Sequence, residues 1–373
     1  MRFVSVCSLI LLVSCGSPPP VVPAGPATLS EWHLFTDFAT QTPAEGVVPY
    51  DVIAPLFSDY ATKHRFIRVP AGMQATIDAN GDFVFPEGTV IVKTFGFIDD
   101  LRDLSSHERL IETRLLVRQN GGWVPLIYRY DDDMREARLY QYGQRVDVAW
   151  TNLAGNHVSI SYRVPDAVQC ANCHGGADPI HLLGVRTRQL DRMHDYGSGP
   201  VNQLDHFVSI GILASTPAPA DRHALLDPFD TTLPVEGRAR SYLEANCANC
   251  HRPNGGSDQS GLWLGIEITD PVRLGICKDP AAAGLSAGGL HVDIQPRHPE
   301  LSVMSYRVHS DEPGIKMPEL PTILHHEEGA DLIDLWINSM PEVVCGGPDS
   351  GVPPVDAATS DAASSDASSG DAH

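Results

Sequence analysis

The pentapeptide Cys-Ala-Asn-Cys-His occurs twice in this chain, at 170–174 and at 247–251. Composition alone predicts about 0.007 matches to Cys-x-x-Cys-His in such a chain, so the repeat is not an accident. The spacing defines the chemistry. Two cysteines three positions apart share one side of a helical turn. The histidine that follows lies beneath them. Thiols so placed can add to the two vinyl groups of one porphyrin, and the imidazole then supplies an axial ligand. The expectation is two haem c groups, one at each CANCH. Cys170, Cys173, Cys247 and Cys250 would hold them, with His174 and His251 on the iron. Zinc is the competing metal, because two Cys-x-x-Cys pairs can make a four-cysteine site. A zinc ribbon has no need of a histidine directly after each pair, and its pairs lie much closer in sequence. A thioredoxin-like dithiol is disfavoured by the second copy and by the absence of a βαβ pattern.

A sixth ligand is expected from a methionine. Met317 in GIKMPEL precedes a proline, which disfavours helix at Met317 and presents the thioether from an extended loop. Met304 in ELSVMSYRV reads as packing, and Met340 ends the last helix. His/Met ligation raises an iron potential relative to bis-His. The first motif has no comparable partner. Met193, His181, His194 and His206 are all candidates there, as are a ligand from the N-terminal region and an open position. No catalytic residue is assigned.

These residues need elements to position them. VEGRARSYLEANCANCH reads as a helix running into the second motif. LHHEEGADLIDLWINSMP reads as a helix with Leu332, Leu335 and Trp336 on one face, closed by Pro341. A closing helix is expected over 202–213. Upstream, DFVFPEGTVIVKTFGFI, RLIETRLLVRQNGGWVPLIYRY, EARLYQYG and NHVSISYRVP are rich in β-branched and aromatic residues and read as strands. QNGGW is a hairpin turn. Asp131 to Asp133 reads as a solvated turn rather than a cation site. The expected fold class is α+β and multidomain. A β-rich sandwich or barrel over 29–165 precedes two mainly α-helical cytochrome c-like haem modules, 166–216 and 235–345, joined by a linker over 217–234.

The ends are of other kinds. Residues 1–15 fit a secretory signal, too short to span a bilayer. LVSC resembles the lipobox of bacterial lipoproteins, which implies cleavage before Cys15 and its acylation. A Pro-rich tether, 16–28, follows. Localisation is expected in the periplasm or cell envelope, lipid-anchored. Gly16 lacks the Asp that retains many lipoproteins at the inner membrane, which favours the outer one. The tail 346–373 has no aromatic residue, no Leu and no Ile, and is expected to be disordered. The formal net charge of −21 argues against nucleic acid and suits redox protein partners with basic surfaces. Of the eight cysteines, Cys277 and Cys345 are left over, and an oxidising compartment favours a disulfide between them.

The second half resembles class I c-type cytochromes, in which the first and last helices cross at the haem edge. The wider pattern is more specific. LFSDYATKHRFIRVP, FPEGTVIVKTF and ETRLLV precede the first motif. GPVNQL, the second motif, VDIQPRHPELSVMSYRV and MPEL follow. Together they resemble a family of bacterial di-haem c-type cytochromes over nearly the whole chain between tether and tail. The resemblance implies an exported carrier of single electrons with two covalent haems and Met317 as a ligand. The alternative is a peroxidase-like di-haem enzyme with the first haem as reaction site. A third reading makes the β-rich domain a binding module.

Overall fold

The computed structural model describes residues 25–175, 179–281, 284–319 and 322–346. The expected signal peptide, the tether up to residue 24 and the tail beyond Gly346 lie outside the described residues. The described residues form two compact units, one of 25–52 with 60–224 and one of 53–59 with 225–346. Among the described residues no helix is long and apolar enough to cross a membrane.

The first unit is built on a six-stranded antiparallel sheet. Its spatial order is Ala137–Tyr140, Gly122–Tyr130, Glu108–Gln119, Val90–Ile98, Thr62–Arg68 and Val48–Pro49. Period-two alternation gives each strand two faces. Phe66, Val92, Leu115 and Leu126 point one way, into a core with Leu29, Leu34 and Phe35. Ile67 and Ile91 point the other way, into a core with Val185, Leu190, Leu204 and Phe207. The expected hairpin turn is there. Gln119 pairs with Gly122, and Asn120 and Gly121 between them have φ of 52° and 75°. Both are left-handed, as a type I′ turn requires, and Asn-Gly adopts that at least cost. A separate hairpin, Gln144–Thr151 with His157–Val164, leads into helix α1, Ala167–His174.

The expected pair of mainly helical haem modules is corrected here. The described structure is mostly β, and its helices are short, the longest of thirteen residues. Segment 166–216 holds α1, α2 (Thr187–Leu190), the hairpin Met193–Asp195 with Pro200–Asn202, and α3 (Gln203–Ser209), which is shorter than the expected 202–213. The reason is where its apolar residues find partners. Val185, Leu190, Leu204 and Phe207 are spent covering one face of the sheet. The segment is therefore a cap on a β layer, not a bundle with its own core.

The second unit has two helices of consequence, α4 (Val235–Asn246) and α6 (Glu327–Ser339), and between them a largely irregular Gly/Pro-rich stretch that includes α5 (Val303–Val308). Both long helices fall where the apolar spacing predicts. Ala239, Tyr242 and Leu243 share a core with Leu332, Ile333, Trp336 and Ile337. Gly329 sits where α6 meets the ring of Tyr242, and a Cβ there would collide with it. Leu335 is not on the buried stripe: it is 55% exposed, and Ile333 and Ile337 take the place expected for it. Cys277 and Cys345 are bonded. The segment 53–59 is an early piece of chain seated in this unit. Phe57 N–H donates to Asn246 Oδ1 at 2.8 Å, and the Phe57 ring stacks on His326 at 4.2 Å.

Candidate functional site

The second motif grows directly out of α4. The helix ends at Asn246, and its last turn is extended by amides of the motif. Cys247 N–H donates to Leu243 O, and His251 N–H donates to Cys247 O, both at 2.9 Å. Cys247, Cys250 and His251 therefore share one turn. Burial pushes the Cys247 thiol up to about 12, with Cys250 beside it adding to the effect. The Cys247 thiol stays protonated.

His251 is held in a defined tautomer. Its Nδ1 lies 3.1 Å from Ser260 Oγ. The Ser260 hydroxyl already donates to Ser257 O at 2.7 Å, so towards His251 it must accept. Nδ1 therefore carries the hydrogen and Nε2 the lone pair. Burial holds the imidazole down at about 4, and the charges of Arg307 and Lys278 add to this. The ring is neutral at any ordinary pH. A neutral imidazole with its second nitrogen hydrogen-bonded is the form that ligates a metal.

Met317 is half-buried and tied to the same neighbourhood. Its N–H donates to Arg307 O at 3.0 Å, and the Arg307 charge is one that His251 feels. Arg307 also donates from Nε to Ile315 O at 2.7 Å. The loop is closed from its other end. The buried Lys316 ammonium donates to Thr322 Oγ1 at 2.8 Å and to Pro318 O. Met304 and Met340 are buried in the core of the unit.

The first motif rides on α1, whose start is a capping box. Asp166 Oδ1 accepts from Gln169 N–H at 2.8 Å, and Gln169 Oε1 accepts from Asp166 N–H at 3.1 Å. His174 has the same tautomer as His251 by another route. Its Nδ1 lies 2.8 Å from the carbonyl of His181, which can only accept. Burial pushes His174 down to about 4 and Cys170 up to about 11. Beside them the sheet presents a cross-strand row of basic residues, Arg65, Lys93 and Arg114. Glu112, fully buried, pairs with Arg114 at 2.5 Å and accepts from Tyr162 Oη at 2.9 Å. Burial drives Lys93 well below the usual lysine range, reinforced by Arg65, Lys63 and Arg114.

The candidate partners of the first motif are scattered. His181 contributes its carbonyl to the Nδ1 side of His174. His194 and His206 share Tyr196, at ring distances of 4.6 and 3.7 Å. Met193 is 55% exposed on a hairpin.

The expectation of two haem c groups, one at each CANCH, is corrected. Among the described residues no set of three or more His, Cys, Asp or Glu side chains gathers where it could hold a metal ion. The first motif lies on a single eight-residue helix beside a β sheet, not in a helical module. So short a helix with one histidine provides no enclosure of its own, and no group is assigned to it. The second motif differs in what surrounds it: Cys247, Cys250, a neutral imidazole with its lone pair on Nε2, and Met317, held by its backbone N–H, belong to one unit.

Sequence reasoning missed Ser260, Arg307, the Lys316–Thr322 clamp and Asp59. Ser260 and Arg307 carry no motif, because each acts through an atom that only the fold brings near. Asp59 stood in plain view within LFSDYATKHRFIRVP. Comparison with protein families, curated proteins and solved structures finds no match to this chain.

Proposed function

We propose that this protein is an exported, lipid-anchored carrier of single electrons, with its redox centre at the second motif. Cys247 and Cys250 would attach one haem covalently, and His251 and Met317 would be its axial ligands. When bound, that group supplies a reversible one-electron couple. The observation that carries the reading is the tautomer of His251, which leaves Nε2 as a neutral donor in a turn that also carries Cys247 and Cys250. The chain's own contribution is positional. Ser260 orients the imidazole, Leu264 N–H fixes the His251 carbonyl at 2.9 Å, and Arg307 ties the Met317 backbone. The partners would be redox proteins whose basic faces suit the acidic chain.

The test is expression of the whole chain with c-type maturation machinery, followed by mass analysis of proteolytic fragments. The fragment containing Cys247 and Cys250 is expected to carry the haem mass. The ferric protein is expected to be low-spin with a methionine–iron charge-transfer band, lost in Met317→Ala. A fragment of unmodified mass would sink the reading. The fragment containing Cys170 and Cys173 reports separately on the first motif.

A further inference from the structure

We propose that Asp59 is a positioning residue for Met317, acting through the loop that carries the thioether. This rests on the proposed role of Met317, but the pinning itself is independent of any bound group.

The argument starts from the backbone. Asp59 and Tyr60 have φ of 52° and 64°. Two successive non-glycine residues in the left-handed region cost free energy, and they persist only where the surroundings over-determine them. Here the surroundings are a carboxylate with a task. Asp59 is fully buried. Its Oδ1 accepts from two successive backbone amides, Ile323 at 2.7 Å and Leu324 at 2.8 Å. Losing these two bonds would strand two backbone amides.

Those amides directly follow Thr322, which receives the Lys316 ammonium at 2.8 Å. Lys316 precedes Met317 and also donates to Pro318 O. A continuous path therefore runs from Asp59 through the 322–324 backbone and the Lys316 clamp to Met317. At its other end Met317 is held by Arg307 O. The same short segment also grips the start of the motif, since Asn246 Oδ1 accepts from Phe57 N–H at 2.8 Å. Residues 53–59 thus touch both the turn that leads into Cys247 and the loop beyond Met317.

The experiment uses the full chain matured with haem, as Asp59→Ala and Asp59→Asn. Three quantities are read: haem on the Cys247 fragment, the methionine–iron band, and hydrogen exchange at the Ile323, Leu324 and Met317 amides. Asp59→Ala is expected to keep the covalent haem, lose the band and exchange about tenfold faster, the ratio that one lost hydrogen bond implies. Asp59→Asn retains an Oδ1 acceptor and is expected to keep the band. An Asp59→Ala protein with the band and exchange of the parent would overturn the inference. If the parent carries no haem, the proposed function fails, and exchange alone decides the pinning. If Asp59→Ala does not fold, Thr322→Val cuts the same path nearer Met317. It should lose the band, and an unchanged band there would equally overturn the inference.

Discussion

His251 Nδ1 lies 3.1 Å from Ser260 Oγ, and the Ser260 proton is already committed to Ser257 O at 2.7 Å. The direction of that second bond sets the tautomer of the first, and so decides which nitrogen of His251 can act as a donor. His174 reaches the same state through the carbonyl of His181 at 2.8 Å. Two motifs of identical sequence thus share a tautomer with unrelated supports. The pentapeptide specifies the residue type, and the surrounding fold specifies the protonation.

Ser260→Ala removes the acceptor without touching a ligand. A side-chain hydrogen bond of this kind contributes about 1 kcal/mol, and the variant should lose that much in denaturant unfolding. The partner on Nδ1 also raises the basicity of Nε2. With the proposed haem attached, its loss should favour the reduced iron and raise the midpoint potential in a redox titration. A potential unchanged from the parent would mean that Ser260 only packs.

The sequence made the two motifs, the Asn-Gly hairpin, the strands of the sheet and both long helices legible, because each depends on local spacing. It misled at segment 166–216. CANCH followed by a few helical residues reads as a module only if those residues pack on one another. Leu204 and Phe207 instead pack against the sheet, a partnership of long sequence range that periodicity cannot show. Leu335 failed similarly: three positions define a stripe loosely, and the true one runs through Ile333 and Ile337. Asp59 was readable as a residue but not as a contact, because its partners lie 264 and 265 positions away.

Glu108 predicts the acid limb of the first unit. Burial works to raise its pKa, but hydrogen bonds from His64 and Thr62 outweigh it and hold the carboxyl below the usual value. A group whose folded pKa is depressed adds stability above its unfolded pKa, and that stability is lost as pH falls through the folded one. Stability should therefore decline as pH drops below about 4.5, near the ordinary glutamate value. Glu108→Gln should be less stable than the parent at neutral pH and show a flatter decline. Parallel curves of unfolding free energy against pH for the two proteins would refute this.

Lys93 lies in the middle of the sheet with its ammonium nitrogen 4.9 Å from the centre of the Phe95 ring, and Arg114 stacks on the same ring at 4.1 Å. Burial and three neighbouring cations work against its charge. Lys93→Met keeps the length and removes the desolvation cost. It should stabilise the protein by about 1 kcal/mol, as replacement of buried charge by apolar side chains often does. A loss of stability instead would show that the amine is needed where it stands, near His174.

The Cys277–Cys345 bond closes a sequence separation of 68 residues. Loop-closure entropy for that length amounts to about 4 kcal/mol. The double Cys→Ser variant should lose stability of that order in equilibrium unfolding, and reduction of the parent should reproduce it. A loss well under about 1 kcal/mol would mean that the reduced chain already holds these ends together.

The last prediction concerns what counts as the second unit. A fragment spanning 225–346 contains α4, the motif, Met317 and α6, and on composition it should fold by itself. It lacks 53–59. Without that segment Asn246 loses the Phe57 amide, His326 loses the ring stacked at 4.2 Å, and the amides of Ile323 and Leu324 lose Asp59. Each stranded buried polar group costs about 1–3 kcal/mol, against a total stability of only ~5–15 kcal/mol for a domain. The fragment should therefore unfold at lower denaturant than the same unit in the whole chain. Adding a synthetic peptide of residues 51–61 should restore part of the difference. A fragment as stable alone as in the intact protein would show that the segment merely passes over the unit.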